Sequence, residues 1–314
     1  MIVDWLLRPL TSGVLLVGTL LLALAPITPA AELFQITWPT HHASPPADLG
    51  PQANNILPAF RIAIASLPEA AITTLALSQA ALLGGTKDDA NTLLPLVTER
   101  YRLMAASPIY SHAPSALPYC YLAERPDHGS ASLYVPDGAT ASTPVILFLH
   151  GFGGSFLWYQ HWLSEAFSDH IIICPAYGIA TASIPPDYVS EAVAACAKKL
   201  LFPIGRYCLI GLSNGGYGSC RLFVSAPQKC TQLICLAAYP TDDTLARFPP
   251  NVPARFMSGA TEPFASSGNL LQRVQIIRRR APSTELQLVK GADHFFILTH
   301  PQETLSVLRK WVND

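Results

Sequence analysis

Short, nearly unbroken apolar runs recur through the second half of the chain: Val145–Leu149, Ile171–Cys174, Cys208–Ile210, Leu233–Leu236, Arg255–Met257 and Leu286–Val289. A strand with one wet face alternates apolar and polar positions, whereas a strand covered on both faces does not. Helical stretches separate several of these runs, most clearly Tyr188–Leu201, Tyr217–Ser225 and Leu270–Arg280, and Pro301–Trp311 reads as a closing helix. Strands alternating with helices predict an α/β sandwich, a mainly parallel sheet flanked by helices, over residues 113–314. Connections are short, which leaves no room for a large insertion within this half. Just upstream, Tyr119–Leu122 and Ser132–Val135 read as two antiparallel strands around Pro126-Asp127-His128-Gly129.

Ser66-Leu67-Pro68-Glu69 has capping-box spacing and opens an Ala- and Leu-rich helix that Gly84-Gly85 ends. A second helix runs from Asp88 or Asp89 to Ala106, with Leu93, Leu94, Val97, Tyr101 and Met104 on one face. The expectation is a helical hairpin packed on the core, with a partial lid over a site as the alternative. Residues 32–60 are rich in Pro, Ala, His and Asn without firm periodicity and read as a linker or loose arm. Residues 32–112 are thus expected to form a Pro-rich arm and helical extension ahead of the main domain.

No charged side chain lies between Arg8 and Glu32, and Val14–Ala25 is almost wholly apolar. A weakly basic start, an apolar middle and a small-residue end lay out a secretory signal over residues 1–31. Export to a periplasm or medium is the expectation. The second reading is an uncleaved anchor that tethers the chain to a membrane through residues 9–31.

Composition removes several function classes. Lys plus Arg is 20 and Asp plus Glu is 21, so no basic field exists to meet a nucleic acid backbone. The seven cysteines form no Cys-x-x-Cys pair, and His-Glu-x-x-His is absent. No metal or organic cofactor is expected. Cys174, Cys208 and Cys235 sit in strand-like runs, while Cys120, Cys196, Cys220 and Cys230 are read as freer to pair.

The chemistry concentrates in three places. Tyr207 to Gly216 is an apolar run followed by Gly211-Leu212-Ser213-Asn214-Gly215, a Gly-x-Ser-x-Gly pattern between strand and helix. Such a turn presents a serine hydroxyl at the sheet edge, a nucleophile elbow. The first parallel strand ends in His150-Gly151-Phe152-Gly153-Gly154-Ser155, where glycines let backbone amides face an anion. The amides of Phe152 and Asn214 are candidates to meet a carbonyl oxygen as it gains charge. Late in the chain, Gly291-Ala292-Asp293-His294-Phe295 follows a strand, and His294 is placed to act as base; His161 and His300 are alternatives. His150 is read as a brace for the glycine loop. Glu262, after the strand at Arg255, is the first candidate for the acid, with Asp242 or Asp243 as alternatives. Trp158, Tyr159 and Phe295 are candidate pocket residues.

These pieces, in this order, resemble the α/β-hydrolase superfamily over roughly residues 118–313. The double glycine after Asn214 is similar to secreted esterases and polyester depolymerases, and also to some acylpeptidase-like members. The resemblance implies Ser213 as nucleophile, His294 as base, Glu262 as acid and an oxyanion site at Phe152 and Asn214. Aspartate is the usual acid in that loop, so Glu262 departs from the pattern. The implied activity is two-step cleavage of a small or polymeric uncharged ester. A serine peptidase or acylaminoacyl hydrolase is one alternative, and an exported non-catalytic binding or scaffold protein of this fold is another.

Overall fold

The computed structural model describes residues 31–41, 51–78, 87–121, 127–178 and 184–314. In chain order the elements are β1 (Glu32–Pro39), α1 (Pro51–Ser66), α2 (Glu69–Ser78), α3 (Lys87–Ala106), α4 (Leu117–Tyr121), β2 (His128–Val135), β3 (Val145–Leu149), α5 (Leu157–Ala166), β4 (Ile171–Ala176) and α6 (Pro186–Leu200). There follow β5 (Tyr207–Leu212), α7 (Asn214–Ser225), β6 (Cys230–Leu236), α8 (Asp242–Ala246), β7 (Ala254–Gly259), α9 (Pro263–Ser266), α10 (Asn269–Arg278), β8 (Glu285–Val289), α11 (Phe296–Thr299) and α12 (Pro301–Asn313).

The strands form one sheet in the order β1-β2-β4-β3-β5-β6-β7-β8. β1 and β2 run antiparallel to their neighbours, and the other pairs are parallel. The apolar runs are continuous because both faces are covered. On β3, Ile146 and Phe148 enter one core, with Trp162 of α5 and Leu308 of α12. Val145, Leu147 and Leu149 enter the other, with Val189 of α6, Phe223 of α7 and Val274 of α10. This is the period-2 division that a strand between two helical layers must show.

Residues 32–60, residues 119–122 and the cysteines differ from the sequence-based expectation. Glu32–Pro39, read as part of a loose arm, is an edge strand paired with β2 from Glu32 opposite Val135 to Pro39 opposite His128. Its Phe34, Ile36 and Trp38 recur at period 2 on one face. The Trp38 indole donates to Glu191 of α6 at 3.2 Å. Tyr119–Leu122, read as a strand, falls on α4 through Tyr121, whose buried Leu117 and Cys120 are three apart, as one helix face requires. All seven cysteines are buried, including the four read as freer to pair.

The helices α1–α4 therefore lie within a β-hairpin rather than ahead of the sheet. They leave after β1 and return before β2, and the Thr40 amide donates to the Asp127 carbonyl at 2.8 Å where the two ends meet. Leu93, Val97 and Tyr101 of α3 join the core on the α5 side.

The membrane tether through residues 9–31 is corrected. Among the described residues no helix is long and apolar enough to cross a membrane; a span needs about 20 predominantly apolar residues. The 20-residue α3 carries Lys87, Asp88, Asp89, Glu99, Arg100 and Arg102. Residues 1–30, which hold nearly all of that segment and of the expected signal, lie outside the described residues.

Candidate active site

Ser213 joins β5 to α7 with φ 53° and ψ −117°, a backbone region that residues with a Cβ rarely enter. Its neighbours hold it there. The Ser213 amide donates to the Leu236 carbonyl at 2.7 Å, and the Gly216 amide donates to the Ser213 carbonyl at 2.8 Å. The turn also depends on two glycines. A Cβ on Gly211 would lie 2.1 Å from Ser219 Oγ, and one on Gly215 would lie 2.2 Å from the Leu149 carbonyl oxygen.

Two loops at the same sheet edge bring in the imidazole and the carboxylate. They are tied together, because the Thr261 amide and hydroxyl donate to the Ala292 carbonyl at 3.0 and 2.9 Å. His294 Nε2 lies 3.0 Å from Ser213 Oγ, and its Nδ1 lies 3.1 and 3.2 Å from the Glu262 oxygens. An ionised carboxylate can only accept, so Nδ1 carries the proton. Nε2 then offers its lone pair to the serine hydroxyl. Glu262 is buried, 8% exposed, while the His294 side chain is 37% exposed.

The other candidates stand elsewhere. Asp242 is at the surface and pairs with Arg273 at 2.7 Å. Asp243 is also exposed, bonded by the Thr241 hydroxyl and 3.6 Å from Arg247. Asp293 accepts the Phe295 amide at 2.9 Å. His161 is buried edge-on against Tyr110, and His300 shares a 2.9 Å bond with Thr299.

The glycine loop runs beside the elbow. Gly153 and Gly154 have φ of 96° and 119°, which turns the loop so that its amides need not point into the sheet. Asn214 opens α7, and an amide in the first turn of a helix has no carbonyl within the helix to bond. His150 stacks on Tyr177 at 4.0 Å, and its Nδ1 lies 2.8 Å from the Gly151 carbonyl. Burial lowers its pKa to about 4, so the ring is neutral and Nδ1 donates. Sequence reasoning passed over Tyr121 of α4, whose hydroxyl donates to the Gly153 carbonyl at 2.8 Å. Its place in an expected strand hid that role.

Ser213 and His294 open onto a cavity of ≈ 420 Å³. Trp158, Tyr159 and Phe295 line it, as do Phe152 and Phe156. So do Thr73, Ala76 and Leu77 of α2 and Ala90, Leu93 and Val97 of α3. The helical pair packs on the core and also walls the site. Among the described residues, no Asp, Glu, Lys or Arg lines it.

Residues 144–270 match the family model described as alpha/beta hydrolase fold. That stretch holds β3, the glycine loop, the elbow and Glu262, within the strand order already described. The chain has an α/β-hydrolase fold. Similar solved structures include a lipase in an open form (TM-score 0.48, 13% identity, 59% of this chain and 94% of that one). An esterase from Pyrobaculum calidifontis is similar at TM-score 0.48 and 16% identity, over 60% of this chain and 81% of its own. A predicted CIB-like hydrolase from Thermoplasma acidophilum has TM-score 0.44 and 16% identity, over 59% and 92%. No curated protein matches the chain.

In this α/β-hydrolase fold the helical wall is fastened by a buried carboxyl. Glu69, at the start of α2, accepts the Leu157 amide of α5 at 2.7 Å, the Tyr101 hydroxyl of α3 at 2.9 Å and the Ser115 hydroxyl. It does not close a capping box on Ser66; its partners come from three other segments. Burial pushes its pKa from 4.5 up to about 7, against the opposing pull of those three donors. Below about 4.5 folded and unfolded chains both hold the proton, and the contribution to stability is complete. As pH rises to about 7 the unfolded chain releases the proton while the folded one retains it, so that contribution is lost. At about 1.4 kcal/mol per pH unit the loss is on the order of 3 kcal/mol. Between pH 4.5 and 7.5 the parent is expected to lose about this much stability relative to Glu69→Gln in thermal melts, since His150, whose lowered pKa acts in the opposite direction, titrates alike in both. An identical pH slope in both would refute the assignment.

Proposed function

We propose that the chain is a serine hydrolase that cleaves uncharged carboxylic esters by two-step acyl transfer. One observation carries the reading: the unbroken chain of contacts from Glu262 through His294 to Ser213 at the mouth of an apolar cavity. Ser213 Oγ attacks the ester carbonyl while its proton passes to His294 Nε2, and Glu262 stabilises the imidazolium. The oxygen, now negative, sits against the amides of Phe152 and Asn214. The intermediate collapses, the C–O bond to the alcohol breaks, and His294 returns the proton to the departing oxygen. Water, deprotonated by the same nitrogen, then releases the acid and restores the serine.

The apolar side chains that line the cavity among the described residues suit an uncharged ester. Export belongs to the same proposal, supported by the uncharged, apolar stretch between Arg8 and Glu32; the mature N-terminus of protein recovered from the medium or periplasm tests it. A fluorophosphonate probe tests the enzyme reading. It should label the folded protein on Ser213 and leave Ser213→Ala unlabelled. Folded parent protein that takes no label would favour a binding or scaffold role for the same fold.

A further inference from the structure

The cavity wall has two sources, and they divide the substrate. The elbow, the glycine loop and His294 supply the reacting groups, and α2 and α3 supply apolar wall. His294 must hand its proton to the leaving alcohol, and its ring is 37% exposed. The alcohol therefore departs on the open side. The acyl group stays bonded to Ser213 through the second step and occupies the apolar side. A volume of ≈ 420 Å³ falls within the roughly 300–1,000 Å³ typical of ligand pockets.

Resting on the ester hydrolase reading, we propose that α2 and α3 form a length gauge for an unbranched, uncharged acyl chain, with Ala76 and Ala90 setting its limit. Both alanines line the cavity, one from each helix, together with the larger Leu77 and Leu93. Their short side chains leave the space that an acyl tail fills. Glu69 fixes this wall to α5 through the Leu157 amide, so the limit is set by a fastened surface. Each methylene taken from water is worth roughly fourfold in kcat/KM until the chain meets the wall.

The test uses two matched series of esters. In one the acyl chain grows from acetate to decanoate with a constant p-nitrophenol; in the other the alcohol grows with a constant acetyl group. The parent should climb along the first series to a break and stay flat along the second. Ala76→Phe and Ala90→Phe should each move the break to shorter acyl chains and cut the octanoate-to-acetate ratio of kcat/KM by roughly fifteenfold, about two methylenes. Leu93→Ala should move it to longer chains, which keeps the test intact if a phenylalanine variant fails to fold. A flat acyl series in parent protein that still labels at Ser213, an alcohol-dependent profile, or a break that none of the folded variants moves would each overturn the gauge. Parent protein that neither labels nor turns over would instead sink the hydrolase reading beneath it.

Discussion

Replacing His294 by alanine is expected to lower kcat by about 10⁵-fold or more, with little change in KM. His294 is the base at 3.0 Å from Ser213 Oγ, and without a base a neutral hydroxyl is a weak nucleophile. The glycine loop and the apolar wall remain, so substrate still binds. Residual turnover should come from the oxyanion amides and from binding alone. Steady-state kinetics on a p-nitrophenyl ester, with circular dichroism to verify the fold, measures the effect. A folded variant within tenfold of the parent would remove His294 from the mechanism.

Glu262→Ala should lower kcat by roughly 10³- to 10⁴-fold, less than the loss of the base. The carboxylate does not touch the reacting atoms. It holds the Nδ1 proton at 3.1 Å, which fixes the tautomer and steadies the imidazolium. Loss of this one buried acceptor leaves the ring free to turn or to carry its proton on the wrong nitrogen. Asp242→Ala and Asp243→Ala should stay within a few-fold of the parent, since each pairs with an arginine at the surface. Full activity in Glu262→Ala with loss in either aspartate variant would reverse the assignment.

The parts of this site that sequence reading brought out are those held by short covalent spacing. Gly211, Ser213 and Gly215 must sit together because only a tight strand-to-helix turn accommodates them. Glu262 and His294 each follow a strand of a parallel sheet, and parallel strands deliver their following loops to one edge. The parts it did not bring out depend on distant partners. β1 looks featureless because the Pro- and His-rich residues after it obscure its short Phe34-Ile36-Trp38 alternation; its identity comes from β2, more than ninety residues on. Tyr121 sits in a segment with strand-like composition that folds as a helix. Glu69 sits in a motif suited to a local cap, yet its partners are Tyr101, Ser115 and Leu157. Burial at a junction of four segments cannot be read from any one of them.

The closure between Thr40 and Asp127 makes the intervening helical segment an insertion into an otherwise continuous hairpin. Its entry and exit are joined by a backbone bond of 2.8 Å, and the β1–β2 ladder continues directly below that bond. The sheet constrains only where the segment starts and stops, and the entropy of closing a loop grows slowly with its length. The segment also reaches into the reaction centre, because Tyr121 holds the Gly153 carbonyl and Glu69 holds the Leu157 amide. Its length is thus open to change while those two contacts are not, and a library varied between the two anchor points would have to keep both to alter selectivity without disturbing the chemistry.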